Sequence, residues 1–482
     1  MTSQQKLLDN NEETFVWNKD SEKTTLEIST LPSINFEKVY SFVSNYYHYC
    51  TEQLSSRAMF LLYGRKFLSE KRQKEAEQMI REIIKELGTR QLSNGGFRYW
   101  SSSDSAHQWA SSMVGEVMTE ALDQGFAIPS DTYAKWIDYQ VAEAKRYTHS
   151  TKKAADQQQA YRLYTLALAG KPQFAYMNRL KEAKSISQAA KYRLAAAYLI
   201  AGKPSVADEI FEKKAVSTEG GYSTFWSGLR DDAMQLETLV LMGRSDLAMP
   251  LAKNIAADFS SHYCSTQEVA FISSAFSRLS RILGASGSSV TVTAGGKSKE
   301  YKSDKEVVAI DIPAGHGSVA VRNNGSTPLY VSMINERQPS ALETIPAHEN
   351  GVRLSVKYTD TEGKSVDVTN LKQGDQIYVD IVVNKTDGLD SDSMALTFRV
   401  PSGLEIWNER IYNDVTSQTR IDVRDDRICC YFDINGTQKK SFRIKLRAAY
   451  EGSYILPATV VEDMYRADCR ANTASSTVTI TK

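Results

Sequence analysis

The sequence predicts a multidomain chain of α and β parts: a long helical region inserted in a β domain, followed by a β-sandwich. Three observations carry this. The hydrophobic period changes from two to helical spacing at Pro32 and back again at Gly284. The short strand patterns before Pro32 have no local partners, and two strands alone are marginal. From about residue 340 onward, strands recur at regular intervals, as in a sandwich. The expected boundaries are 14–32 and 286–335 for the two parts of the split β domain, 33–285 for the helical domain and 340–482 for the sandwich.

In chain order, residues 1–13 are polar and are expected to be disordered. Thr14–Trp17 and Thr24–Ile28 read as strands, and Leu31-Pro32-Ser33 stops the sheet and caps a helix from about Ile34. Helical patterns then follow one another. Val39, Phe42 and Val43 share one face, a helix runs on from residue 50 to Leu68, and Met79, Ile80, Ile83 and Ile84 mark the next over Ala76–Leu87. A turn at Asn94-Gly95-Gly96-Phe97 precedes helices over Ser112–Asp123 and Ser130–Tyr147. An internal echo closes three later helices with glycine, at Gly170, Gly202 and Gly243, the first two followed by Lys-Pro. Helical hairpins of this kind stack into an open solenoid or a closed toroid, and the periodicity leaves both open. After Gly284, Val290–Thr293, Val307–Ile310, Ser318–Val321 and Leu329–Val331 alternate as strands. So do Gln373–Ile381, Met394–Val400, Cys429–Phe432, Phe442–Leu446 and Val478–Ile480.

Lys+Arg and Asp+Glu both number 58, giving zero net charge. Without a basic stripe, nucleic-acid binding is not expected. No run of 18 apolar residues predicts a membrane span, and Met1-Thr2-Ser3-Gln4-Gln5-Lys6 does not read as a signal peptide. The five cysteines (Cys50, Cys264, Cys429, Cys430 and Cys469) fit neither a disulfide framework nor a Cys-x-x-Cys metal site, and no metal or cofactor is expected.

The chemistry concentrates in Asn45-Tyr46-Tyr47-His48-Tyr49-Cys50-Thr51-Glu52-Gln53-Leu54-Ser55-Ser56-Arg57. A thiol lies three residues before a primary amide, and residues i and i+3 share a helical face. Attack of the Cys50 thiolate on the Gln53 carboxamide, with loss of ammonia, would give an internal thioester. Such a bond must be kept dry. Thr51 and Glu52 are expected to shape the turn. Tyr46, Tyr47 and Tyr49 are candidate pocket walls, with Trp100 and Trp109 as further ones. Of the histidines, His48 lies two residues before Cys50 and His107 just before the Trp109 helix. A rival reading nominates Asp231, Asp232 and Glu237 as the carboxylates of a glycoside hydrolase or lyase. A third treats the chain as a scaffold with a free Cys50 thiol.

Cys-Thr-Glu-Gln-Leu-Ser-Ser-Arg after a Tyr-rich run resembles the Tyr-Pro-Tyr-Gly-Cys-Thr-Glu-Gln-Thr-Thr-Ser-Arg signature of bacterial α2-macroglobulins, with Tyr47 and Tyr49 in place of the Pro and Gly. Gly95–Trp100, the Trp109–Leu122 helix, Ser227–Ala233 and Ser265-Thr266-Gln267-Glu268 are similar to blocks of that family's thioester domain. Arg424–Arg427, Leu456-Pro457 and Glu462–Tyr465 resemble its C-terminal domain. The resemblance implies an α/α toroid (the thioester domain) inserted in a CUB-like β domain, followed by a macroglobulin-like β-sandwich. It implies a protease inhibitor, not an enzyme, that traps target proteases and links to their lysine amines through Cys50 and Gln53, and likeness to complement-type relatives makes His107 a candidate acyl-transfer histidine. It further implies that the chain is the C-terminal part of a parent with upstream macroglobulin domains, periplasmic and anchored as an inner-membrane lipoprotein.

Overall fold

A computed structural model describes the chain except for residues 1, 17–19, 149–153, 184, 216–223, 262–263, 284–286, 314–316, 338–339, 341–342 and 408–419. Trp17 and Gly284, singled out in the sequence, lie outside the described residues. The chain divides into two units, Met1–Gln338 and Pro339–Lys482.

The first unit begins with three strands: β1 (Thr2–Leu8), β2 (Glu12–Val16) and β3 (Lys23–Ser29). Five more come after the helices: β4 (Ser288–Ala294), β5 (Lys297–Ser303), β6 (Val307–Ile312), β7 (Ser318–Asn323) and β8 (Leu329–Glu336). They form two four-stranded sheets, in the orders β1-β8-β3-β6 and β2-β7-β4-β5. Leu26 of β3 lies opposite Ile310 of β6 on one side and Met333 of β8 on the other. Phe15, Leu26, Ile28, Val292, Val321 and Met333 fill the shared core. The N-terminal segment corrects the expectation of disorder. β1 pairs with β8 along its length, from Thr2↔Asn335 to Leu8↔Leu329. Its order comes from backbone pairing to a distant strand, with Leu8 buried, so its polar composition gave no sign of it.

Burial has a titratable consequence in β3. Glu27 is fully buried and accepts hydrogen bonds from Ser33 Oγ (2.9 Å) and the Glu37 N–H (3.2 Å). Desolvation outweighs these bonds and raises its carboxyl from 4.5 to about 7. Between those two values the folded state keeps a proton that the unfolded chain has released, so stability falls as pH rises through that window. The difference amounts to about 3 kcal/mol above it. Urea unfolding of the wild type and Glu27→Gln at pH 5 and pH 8 checks this: the variant gains on the wild type by about that amount at the higher pH.

The helices are α1 (Phe36–Asn45), α2 (Thr51–Gly64), α3 (Glu70–Gly88), α4 (Gln108–Asp123), α5 (Ser130–Arg146) and α6 (Ala155–Leu168). Then follow α7 (Phe174–Lys181), α8 (Gln188–Ile200), α9 (Pro204–Glu212), α10 (Gly228–Leu241), α11 (Ser245–Ser261) and α12 (Thr266–Leu283). The even-numbered helices pack in succession, α2 on α4, α4 on α6, α6 on α8, α8 on α10 and α10 on α12. The succession then returns, with α12 on α2. Odd-numbered helices lie outside them, α3 against α2 and α9 against α8, for instance. Sequence patterning follows this division. Every residue of α2 is buried, whereas α3 buries only Ala76, Ile80, Ile83 and Leu87. The three echoed glycines share one geometry. Gly170, Gly202 and Gly243 adopt φ of 71°, 72° and 71°, and the next N–H in each case returns to a carbonyl five residues back. This Schellman closure ends α6, α8 and α10 and requires the left-handed backbone that glycine tolerates.

Even-numbered helices also meet in a buried polar hub. Glu237 of α10 accepts from Arg193 of α8 and Tyr164 Oη of α6 (2.5 Å), and forms an ion pair with Arg278 Nε of α12 (2.6 Å). Glu116 of α4 accepts from Tyr161 of α6 (2.6 Å) and Tyr63 of α2 (3.0 Å). Burial raises Glu237, but the two guanidiniums outweigh it and hold the carboxylate at about 2. Burial, with Glu237 nearby, pushes Glu116 up.

In the second unit, β10 (Val352–Thr359), β12 (Gln376–Lys385), β14 (Leu404–Ile406) and β17 (Lys439–Ala448) form a four-stranded sheet. β9 (His348–Asn350), β13 (Ser391–Arg399), β15 (Arg420–Val423), β16 (Arg427–Ile434), β19 (Val460–Asp463) and β20 (Arg466–Asn472) form a six-stranded one. β11 (Asn370–Lys372), β18 (Gly452–Leu456) and β21 (Ser476–Thr481) make a third, smaller sheet. Strict alternation in β12 sends Val379, Ile381 and Val383 into a sandwich core with Leu396, Phe398, Ile428 and Phe432. Lys385, buried at the end of β12, donates to both Asp387 oxygens and to Cys469 Sγ (3.2 Å).

Candidate functional site

α1 ends at Asn45, and an extended segment leads to Cys50, which caps α2. Cys50 sits at φ −69°, ψ 164°, the extended backbone usual for an N-cap. Its thiol takes the place a serine or threonine hydroxyl holds at other helix starts. The Gln53 N–H donates to Cys50 Sγ (3.4 Å), and the Cys50 N–H donates to Gln53 Oε1 (3.1 Å). This is a capping box. It fixes the thiol and the carboxamide against each other, and the Cys50 N–H polarises the carbonyl that a thiolate would attack. Gln53 Nε2 donates to Tyr46 Oη (3.3 Å). Cys50, Thr51, Glu52 and Gln53 are all fully buried.

Two distant segments hold this turn. The Thr51 N–H donates to the Tyr99 carbonyl (2.9 Å) and its hydroxyl to the Arg98 carbonyl (2.5 Å), so the Gly-Gly-Phe-Arg-Tyr-Trp turn supports the helix start. Glu52 reaches α12 instead. Its Oε1 accepts from Ser56 Oγ (2.5 Å), Gln267 Nε2 (2.6 Å) and Thr266 Oγ1 (3.1 Å). Its Oε2 accepts from Thr266 (3.1 Å) and faces Cys50 Sγ at 4.0 Å. Gln267 Oε1 in turn accepts from the Trp109 indole N–H (3.1 Å).

The aromatic residues singled out in the sequence lie at different depths. Tyr46 is buried and touches the Gln53 amide; Tyr47 and Tyr49 are half-buried, and Arg57 stands over the Tyr49 ring at 5.6 Å. Tyr49 adopts no left-handed backbone, so its position makes no demand for glycine. Trp100 packs edge-on against Tyr99, and buried Trp109 reaches the motif through Gln267 and Glu52. His48 is buried against Tyr46 and Tyr47. His107 is the N-cap of α4. Its Nδ1 accepts the Ala110 N–H (3.2 Å), its ring packs against those of Tyr99 and Phe225, and burial lowers it to about 4. It is therefore neutral at neutral pH.

Two of the three carboxylates of the hydrolase reading, Glu237 and Asp231, are engaged otherwise. Glu237 is the centre of the buried hub. Asp231 pairs with Arg230 (2.7 Å) and accepts the Trp226 indole N–H (3.1 Å). The residues that sequence reasoning left without a role are Ser56, Thr266 and Gln267. The last two stand in Ser265-Thr266-Gln267-Glu268, a block visible in the sequence whose contact with Glu52 is not. Among the described residues no group of histidine, cysteine and carboxylate side chains could hold a metal, and no helix is long and apolar enough to cross a membrane.

With this geometry in hand, likeness to known proteins is informative. Residues 351–468 match the family described as Bacterial Alpha-2-macroglobulin MG10 domain. The α2-macroglobulin of Rickettsia conorii is 23% identical over 453 residues, 88% of this chain and 24% of that protein. The crystal structure of native Escherichia coli α2-macroglobulin from domain MG7 to the C-terminus covers all of this chain with a TM-score of 0.81 and 19% identity; the match spans 82% of that chain. Salmonella α2-macroglobulin reacted with methylamine gives a TM-score of 0.83 at 20% identity over all of this chain and 33% of that one. The fold of packed helices and β-sandwich units is thus shared with parts of large multidomain proteins. Over its length the chain is similar to bacterial α2-macroglobulins, and residues 351–468 carry the match to their MG10 domain. It spans about a quarter of the length of the curated Rickettsia relative.

Proposed function

We propose that this chain is the thioester-bearing part of a protease inhibitor, not an enzyme, and that Cys50 and Gln53 form an internal thioester in it. The observation that carries the reading is the reciprocal, fully buried capping box, which aligns thiol and carboxamide and keeps water away. The returning succession of even-numbered helices is read as the α/α toroid of a thioester domain. The strands on either side of it are read as a split CUB-like domain (14–32 and 286–335), and residues 340–482 as the C-terminal macroglobulin-like sandwich. In this reading a protease that springs the parent's trap is captured through a surface lysine, whose amine attacks the Gln53 acyl carbon and releases the Cys50 thiol. Upstream macroglobulin domains complete the trap. The parent is placed in the periplasm as a lipid-anchored protein.

The reading that an amine opens this bond is supported by the solved Salmonella relative described as reacted with methylamine. Thiol mapping tests it. Iodoacetamide labelling of the unfolded chain, quenched before and after methylamine treatment, is expected to leave Cys50 unlabelled at first and labelled afterwards. Cys264, Cys429, Cys430 and Cys469 label equally in both. Equal labelling of Cys50 in both samples would favour a scaffold with a free thiol.

A further inference from the structure

We propose that Glu52 is the proton carrier of this acyl chemistry, taking the Cys50 thiol proton as the thioester forms and returning one to sulfur when an amine opens it. The inference rests on the thioester reading above and goes beyond it, since the motif by itself gives Glu52 only a part in shaping the turn.

Three features of the site point this way. Glu52 Oε2 is the acceptor facing Cys50 Sγ, at 4.0 Å. The carboxylate is fully buried, so the contact is made away from solvent. It is aimed by hydroxyl and amide donors on two helices: Ser56 on α2, Thr266 and Gln267 on α12. A carboxylate needed only to cap the turn would not require α12 to orient it, because the capping box closes through Cys50 and Gln53 alone. Only the thiolate is nucleophilic, and a buried thiol needs a local acceptor for its proton.

The steps balance without any redox change. The Cys50 S–H proton passes to Glu52 Oε2, and sulfur bonds to Gln53 Cδ. Negative charge on Oε1 is met by the Cys50 N–H, already at 3.1 Å. The C–N bond breaks, the proton passes from Glu52 to the leaving nitrogen, and ammonia departs. In the opposite sense, an amine nitrogen attacks Cδ and loses a proton to Glu52. That proton passes to Sγ as the C–S bond breaks, leaving a thiol at Cys50 and a substituted amide at residue 53.

Proton transfer by a positioned side chain typically contributes roughly 10²–10⁴-fold. The test follows newly synthesised full chain by intact mass, scoring loss of ammonia with time, and then measures the methylamine reaction rate. The wild type, Glu52→Gln, Glu52→Asp and Ser56→Ala are compared, with melting temperatures taken on each. Glu52→Gln is expected to slow both reactions by roughly 10²-fold or more, and Ser56→Ala, which keeps the carboxylate, by far less. The pH profile separates chemistry from structure. In Glu52→Gln the rate of ammonia loss rises with pH as free thiolate is supplied, while the wild type depends on pH weakly below the thiol range. Other titratable or charged side chains around the turn include Tyr46, Tyr47, His48 and Tyr49 before α2, Arg57 on α2, Arg90 against Thr51 and His107 against Tyr99; none of these is changed. Wild-type rates and pH slope in a folded Glu52→Gln chain overturn the proposal and leave the thioester standing. If Glu52→Gln does not fold, Glu52→Asp decides: its shorter carboxylate slows both reactions, and unchanged rates overturn the proposal. A wild-type chain that never loses ammonia overturns the thioester reading itself, and this inference with it.

Discussion

Replacing Arg193 with alanine is expected to destabilise the helical region by about 3–5 kcal/mol, the cost typical of removing one partner from a buried ion pair. Arg193 is 1% exposed and pairs with Glu237. Its guanidinium also lies 4.5 Å from the Tyr164 ring and 5.2 Å from that of Phe271. Without it, Arg278 must balance Glu237 alone, and the rings around the vacated guanidinium lose their packing. Removing both charges brings no recovery. Arg193→Met with Glu237→Gln is expected to cost at least as much as Arg193→Ala, because it also takes the carboxylate away from the buried Arg278 guanidinium. Chemical denaturation of the two variants beside the wild type checks both statements. A single variant within 1 kcal/mol of the wild type, about the size of a surface substitution, would mean that the hub does not hold the helices together.

The second large effect concerns chemistry. Gln53→Glu is expected to abolish methylamine uptake completely, because a carboxylate offers no ammonia to expel. The chain should still fold. Glutamate is as suitable as glutamine at the third position of a capping box, and its carboxylate can still accept the Cys50 N–H. Gln53→Glu should therefore give a cooperative melting curve, at a temperature lowered by the buried carboxylate, while its amine incorporation falls to background. Amine incorporation persisting in this variant would place the acyl group elsewhere.

These residues also mark what the sequence could disclose. The Cys50–Gln53 pair was legible because its geometry is local: two side chains one helical turn apart must meet. The support of that pair was not legible. Glu52 meets Gln267 across 215 positions of the chain, and no spacing rule connects residues so far apart. Glu237 shows the same limit from the other side. As a carboxylate near Asp231 and Asp232 it invited a hydrolytic reading, and only the fold reveals that Arg193, Arg278 and Tyr164 enclose it. Alternation and helical spacing exposed most strands and helices, including the glycine closures of α6, α8 and α10. They missed β1, where Thr2–Leu8 is polar, because an edge strand can be ordered by its neighbour's backbone with only Leu8 in the core.

The central claim is that Cys50 and Gln53 condense, and intact mass before and after methylamine tests it most directly. The account predicts a chain lighter than its sequence by one ammonia, which gains one methylamine on treatment and maps the addition to Gln53, with both changes absent in Cys50→Ala. A wild-type chain at its full sequence mass, unchanged by methylamine, would contradict it.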